Sequence, residues 1–149
     1  MKRLILLSSL ILFLSLSALA AEEWSVYDWE ISLDEARARA AAEDKEIMYF
    51  FAGSDWCGWC ERLVDEVFSQ ELFRSFEESH VVPVLIDFPR QRELSEDLRE
   101  RNARLSDEFE VEGYPTIVIL SAEGERIFRT GYQRGGAGAY VNHLLPHVR

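Results

Sequence analysis

Residues 47–60 read IMYFFAGSDWCGWC, and this stretch decides the fold. A continuous apolar run from Ile47 to Ala52 is broken by a Gly-Ser-Asp turn, and two cysteines three residues apart follow it. A short apolar run bounded by turn residues is typical of a strand that is buried on both faces. We therefore predict a buried strand that turns directly into a helix, with Cys57 at the start of the helix and Cys60 one turn further on.

The predicted position of Cys57 favours its reactive form. Unpaired N–H groups and the helix dipole favour negative charge at a helix start, and the thiolate is the nucleophilic form of cysteine. Cys60 lies one turn deeper and can reach the Cys57 sulfur. We interpret the two as catalytic residues: Cys57 attacks a substrate disulfide, and Cys60 then attacks Cys57 and releases the reduced substrate.

A zinc site and an inert disulfide are the alternative uses of this pair. Zinc usually takes four ligands, and the three histidines do not lie at ligand spacing to the cysteines. A disulfide that closes so short a ring stabilises a fold by only about 2 kcal/mol. We therefore expect no metal, and no cofactor beyond the redox-active pair itself.

The segments on either side alternate between helical and strand patterns. We predict helices over 33–43, from 57 to about 68, in a short segment capped by Ser69, within 89–110 (one helix or two) and over 140–148. Strands are predicted over 47–52, 81–88, 116–120 and 126–130. The connecting segments are a lead-in over 22–31 that holds a short strand, a hairpin turn over 122–125 and a glycine-rich loop over 131–138. Strands joined through helices pair in parallel, and a hairpin is antiparallel. The fold class is α/β, with a central mixed sheet of about four to five strands flanked by helices on both faces.

A second motif, Gly113-Tyr114-Pro115-Thr116, lies just before the third strand. Together with Gly-Ser-Asp-Trp-Cys-Gly-Trp-Cys over 53–60, it makes residues 33–148 resemble the thioredoxin superfamily, in particular its exported thioredoxin-like proteins. The resemblance implies a thioredoxin fold in which Cys57 is an exposed nucleophile and Cys60 a buried resolving thiol. It also implies that Pro115 is a cis-proline facing the cysteines.

The resemblance further implies a set of substrate contacts around the cysteines. The backbone of Tyr114 would pair with an extended substrate segment by strand addition. The remaining candidate substrate-binding residues are Trp56, Gly58 and Trp59, which lie within the cysteine motif or beside it. We expect Trp56 to pack under the loop and Trp59 to be exposed.

Several positions depart from the family pattern. Phe51 stands where thioredoxins carry a buried aspartate, and Trp59 stands where they carry a proline. The histidine that strongly oxidising relatives carry beside the second cysteine is absent, which favours a reductase over an oxidase. We expect Asp55 and Glu61, which flank the motif, to be solvated.

The first twenty residues have the order of a secretory signal. Two basic residues precede an apolar run over 4–16, and Ala18-Leu19-Ala20 follows. We predict a signal peptide over 1–20 with cleavage before Ala21, a thioredoxin-like domain over 21–149, and a periplasmic or other extracytoplasmic location. An uncleaved membrane anchor is the alternative.

Composition limits the partners. The chain carries 16 Lys and Arg against 27 Asp and Glu, a net charge of −11, which argues against nucleic acid and anionic membrane surfaces. We expect a monomer that acts on protein thiols and disulfides, with a membrane protein as a candidate electron donor and membrane contact only through an uncleaved signal segment. Residues 89–110 are interpreted as a solvated helix face, with a partner-docking element as the alternative.

The function predicted from these features is that of an exported thiol–disulfide oxidoreductase, more specifically a reductase. Two alternatives stay open at this point. One is an oxidase or isomerase on the same fold, and the other is a non-catalytic binding module that uses the Tyr114 edge.

Overall fold

The computed structural model describes residues 25–149, so the predicted signal segment and its cleavage before Ala21 lie outside the described residues. The helices and strands are α1 Leu33–Glu43, β1 Glu46–Ala52, α2 Gly58–Leu63, α3 Glu71–His80, β2 Val81–Asp87, α4 Glu96–Glu108, β3 Thr116–Leu120, β4 Arg126–Thr130 and α5 Gly136–Leu144. Short 3-10 turns span Val26–Trp29 and Leu145–His147, and a π-helical turn, Val64–Phe68, continues α2. Within residues 25–149, no helix is both long and apolar enough to cross a membrane.

The four strands form one mixed sheet in the order β2-β1-β3-β4. β1 pairs in parallel with β2 and antiparallel with β3, and β4 pairs antiparallel with β3. The α/β fold with a mixed sheet is therefore confirmed. Pro83 lies within β2, which is an edge strand, and an edge strand can accommodate a residue without a backbone N–H.

Every residue of β1 is buried, because the strand lies between two hydrophobic cores. Met48, Phe50 and Ala52 point into one core, which also contains the cysteines and residues of α2, α3 and α5. Ile47, Tyr49 and Phe51 point into the other core, against α1 and α4. The alternation follows from the two-residue period of a strand. It explains why the sequence shows a continuous apolar run here.

Phe68 lies at the centre of the first core. Its ring centre is 4.6 Å from that of Phe73, 5.1 Å from those of Phe50 and Trp29, and 6.1 Å from that of Tyr140. The π-helical turn after α2 places both Val67 and Phe68 in this core. The helix that carries the cysteines is thus anchored to the sheet at its far end.

The structure corrects several predicted boundaries. The lead-in holds a 3-10 turn and not a strand, because Ser25 and Asp28 form a reciprocal capping box. Gln70, and not Ser69, is the N-cap of α3. Helix α5 begins within the predicted glycine-rich loop, since Gly135, at φ +116°, turns the chain into the helix early.

The segment after β2 also differs from its prediction. Only Glu96–Glu108 of this segment is helical, and residues 88–95 form a loop. The prediction of a solvated helix face is therefore wrong for Arg90 and Arg92, which lie in this loop. The apolar residues of this segment, Leu94, Leu98, Leu105 and Phe109, are predicted to form one stripe at helical spacing. Leu105 and Phe109 are buried, and Leu94 and Leu98 are half-buried. Asn102 lies in the same buried stripe, where its side chain donates to the Asp87 carbonyl oxygen at 2.8 Å.

Replacing Phe68 with alanine tests the central position of this ring. Phe68 is fully buried, so Phe68→Ala should lower the free energy of unfolding by about 3–5 kcal/mol. Leu72 is 53% exposed, and Leu72→Ala should change it by less than about 0.5 kcal/mol. Urea unfolding of both variants measures the difference. Equal effects would show that the Phe68 cluster does not hold the cysteine helix to the sheet.

Candidate active site

The two cysteines form a disulfide at the start of α2. Cys57 is the N-cap residue of the helix, and its Cα lies 5.2 Å from that of Cys60. The backbone N–H of Cys60 donates to the Cys57 sulfur at 3.2 Å. A donor in this position stabilises negative charge on the sulfur once the disulfide is reduced. The predicted strand, turn and helix start are therefore all present.

The two cysteines differ in exposure. Cys60 is 2% exposed and Cys57 is 9% exposed. The exposed fraction of Cys57 is smaller than we expected for an exposed nucleophile. Cys57 is still the more accessible of the pair.

Tyr114, directly before Pro115, packs beside the cysteine motif. The Tyr114–Pro115 peptide bond is cis, which confirms that prediction. The Tyr114 ring centre is 5.7 Å from that of Trp56 and 5.4 Å from that of Phe88. Tyr114 also packs against the core that contains both cysteines. The segment before β3 is thus brought to the cysteine motif from more than fifty residues away in sequence.

Trp56 is fixed on several sides. Its indole N–H donates to the Phe88 carbonyl oxygen at 2.7 Å, and the guanidinium carbon of Arg90 lies 4.0 Å from its ring centre. A Cβ placed on Gly53 would come within 2.3 Å of the ring, so only glycine allows this approach. The ring is still 37% exposed. Trp56 therefore packs on the loop, as predicted, and also contributes to the surface.

Trp59 is half exposed, as expected, and packs against a residue that the sequence did not indicate. Its ring centre lies 5.2 Å from that of Tyr132. The Tyr132 hydroxyl donates to the Glu66 carboxylate at 2.5 Å, and this hydrogen bond to a negative group raises the pKa of Tyr132 above its usual value. Gly58, the first residue of α2, has open space around it. No sequence signal linked Tyr132 to the motif, because it follows β4 in an irregular segment.

Asp55 is not simply solvated, which corrects the expectation from sequence. Its carboxylate accepts the backbone N–H groups of Arg90 at 2.9 Å, Gln91 at 2.7 Å and Arg92 at 3.1 Å. These donors, Arg90 first, hold the pKa of Asp55 below its ordinary value. The carboxylate therefore fastens the loop after β2 to the turn before the cysteines.

A second carboxylate makes the reciprocal contact. Asp87, which is buried at the end of β2, accepts the backbone N–H of Ser54 at 2.9 Å and its hydroxyl at 2.6 Å. Arg92 neutralises Asp87 at 2.8 Å and also pairs with Glu30. We call these contacts of residues 54–55 with residues 87–92 the loop clasp. No local pattern in the sequence indicates these contacts.

The position of the buried family aspartate is apolar here. Phe51 is fully buried and belongs to the core on the other face of the sheet from the cysteines. A cavity of about 180 Å³ borders Cys60, and its lining includes Glu61 and Asp65. Among the described residues, no group of three or more His, Cys, Asp and Glu side chains could hold a metal ion. The described site is built around the Cys57–Cys60 disulfide.

Comparison with known proteins agrees with this geometry. The sequence profile of a family described as a thioredoxin-like domain matches residues 33–138. The disulfide bond reductase DsbH of Chlamydia pneumoniae is 37% identical over 121 residues, which cover 81% of this chain and 72% of that protein.

Two further relatives extend the comparison. The thioredoxin-related protein DsbJ of Chlamydia pneumoniae is 28% identical over 151 residues, which cover 99% of this chain but 43% of that protein. The solved structure of a DsbH oxidoreductase superimposes with a TM-score of 0.75 at 34% identity, over 79% of this chain and 82% of that one.

Adding a methyl group at Gly53 tests the packing of Trp56. Gly53→Ala places its Cβ within 2.3 Å of the ring, so the ring must move and the free energy of unfolding should fall by about 1–3 kcal/mol. Gly113→Ala is the matched control, because a Cβ there meets nothing within 4 Å. Near-ultraviolet circular dichroism and urea unfolding report the two effects. An unchanged aromatic spectrum in Gly53→Ala would contradict the packing described.

Acid should open the loop clasp at Asp55. Because the pKa of Asp55 is lowered in the folded protein, its stabilising contribution is present above the ordinary value of about 3.9 and is lost as the pH falls through the folded value. Tryptophan fluorescence should therefore change below about pH 3.9. The change should be absent in Asp55→Asn and in Trp56→Phe. A transition that persists in Asp55→Asn would assign it to another carboxyl group.

Proposed function

Because the chain belongs to the thioredoxin-like domain family, we propose that it is an exported reductase of protein disulfides, with residues 21–149 as its mature domain. The observation that carries the proposal is the Cys57–Cys60 disulfide at the N-cap of α2, with one cysteine more accessible than the other. Such a pair can pass between the dithiol and the disulfide state. The disulfide corresponds to the state that follows one round of substrate reduction.

Reduction proceeds in two exchange steps. The Cys57 thiolate attacks one sulfur of the substrate disulfide, which forms a mixed disulfide and releases the other substrate sulfur as a thiolate. Cys60, after losing its proton, attacks the Cys57 sulfur and releases the second substrate thiolate. Two electrons have then passed to the substrate, the Cys57–Cys60 disulfide has formed, and a dithiol donor must reduce it again.

Two features support this direction of electron flow. A protein 37% identical to this chain is named a disulfide bond reductase. No histidine lies beside Cys60, where strongly oxidising relatives carry one. The Cys60 N–H that points at the Cys57 sulfur stabilises the attacking thiolate for exchange in either direction.

The substrate contacts follow from the same geometry. Trp56, Trp59 and Tyr114 form an exposed or half-buried aromatic border around the disulfide. An unfolded or extended protein segment can place apolar side chains on such a border while its backbone pairs with Tyr114. We expect a membrane protein with a dithiol, facing the compartment to which the chain is exported, to supply the electrons that reduce the Cys57–Cys60 disulfide again.

Insulin reduction tests the activity and its direction together. The reduced protein should precipitate the insulin B chain, as followed by turbidity, and Cys57→Ser should abolish this because the attacking sulfur is gone. Cys60→Ala should instead accumulate a mixed disulfide on Cys57, visible as a shift on a non-reducing gel. Turbidity that is equal in the wild type and Cys57→Ser, or absent in both, would favour a binding module over a reductase.

A further inference from the structure

An arginine lies over each of the two tryptophans of the cysteine motif, Trp56 and Trp59. The guanidinium carbon of Arg62 is 5.3 Å from the Trp59 ring centre, and that of Arg90 is 4.0 Å from the Trp56 ring centre. Arg62 is already paired, because its Nε lies 3.3 Å from the Glu66 carboxylate. The guanidinium of Arg90 forms no ion pair with any of the described residues. The Arg90 charge is therefore available at the surface.

Arg90 is held in place by the loop clasp. Its backbone N–H, and that of Gln91, donate to the Asp55 carboxylate at 2.9 and 2.7 Å. The same loop accepts the Trp56 indole N–H through the Phe88 carbonyl oxygen. The ring and the cation above it are thus tied to one another before a substrate arrives. Such preorganisation lowers the entropy cost of forming a contact with a substrate.

A guanidinium group has a clear chemical preference. The group is planar, and the N–H groups along its edge match the two oxygens of a carboxylate. The whole chain carries a net charge of −11, so an acidic substrate is repelled at long range. A carboxylate that reaches the active site therefore needs a local partner, and Arg90 is an exposed cation beside Trp56.

We propose that Arg90 is a specificity-determining residue that binds a carboxylate next to the disulfide of the protein substrate, and that Asp55 is the positioning residue that holds it there. The inference rests on the proposed function as a reductase. A substrate segment with Glu or Asp beside its cysteine pairs with Arg90 while its disulfide faces Cys57. Substrates are then selected by the charge of the residues that flank their disulfides.

Two peptides that carry the same disulfide, flanked by Glu in one and by Gln in the other, test this preference. Their rates of reduction by the reduced protein are measured in single-turnover stopped-flow experiments. The wild type should favour the Glu peptide about fivefold, the upper range for an exposed ion pair. In Arg90→Gln this ratio should fall to about one, and Arg90→Lys should restore part of it.

Two further variants separate recognition from general damage. Arg62→Gln is the matched control, because Arg62 also lies over a tryptophan but is already paired, and it should keep the wild-type ratio. Asp55→Asn should lower the ratio and shift the Trp56 fluorescence, because the loop that carries Arg90 is released. Equal rates for the two peptides in the wild type, or an unchanged ratio in Arg90→Gln, would overturn the inference alone. A protein that reduces neither peptide would overturn the proposed function and this inference with it.

Discussion

The architecture depends on the burial of β1 between two hydrophobic cores and between two neighbouring strands. Because β1 and β2 are parallel, their carboxyl ends lie at the same edge of the sheet, and Ala52 is in register with Asp87. The chain must leave both strands at that edge, so the turn before the cysteines and the loop after β2 run side by side. The cysteine motif and its supporting loop are thus placed together by the register of a single strand pair.

The parts of the fold that could be predicted are those with a local signal. The apolar run of β1, the break at Gly53 and the cysteine spacing are all contained within fourteen residues, so strand, turn and helix start followed directly. A strand that is buried on both faces does not alternate between polar and apolar residues, so it is seen in the sequence as a continuous apolar run. The helical stripe of α4 was readable for the same reason at Leu105 and Phe109, since the helical period repeats within the segment.

The loop clasp could not be predicted, because its partners lie 33–37 positions apart in the sequence with no periodic pattern. An aspartate that precedes a cysteine motif looks solvated in a sequence, and only the strand register reveals that backbone N–H groups face it. The same holds for Tyr132, which meets Trp59 only through the placement of β4. Asn102 interrupts an apolar stripe, and a buried polar side chain in such a position needs a hydrogen-bond partner, which is the Asp87 carbonyl oxygen.

The acidic residues around the cysteine motif differ from the family pattern. Phe51 lies in the core on the opposite face of the sheet, so the family position that supplies a buried acid has no access to Cys60 here. The carboxylates at the motif divide into two kinds. Asp55 and Asp87 are committed to the clasp by hydrogen bonds, whereas Glu61 and Asp65 line the cavity beside Cys60. Asp55 and Asp87 therefore fix the shape of the loop, and Glu61 and Asp65 are the carboxylates that lie beside Cys60.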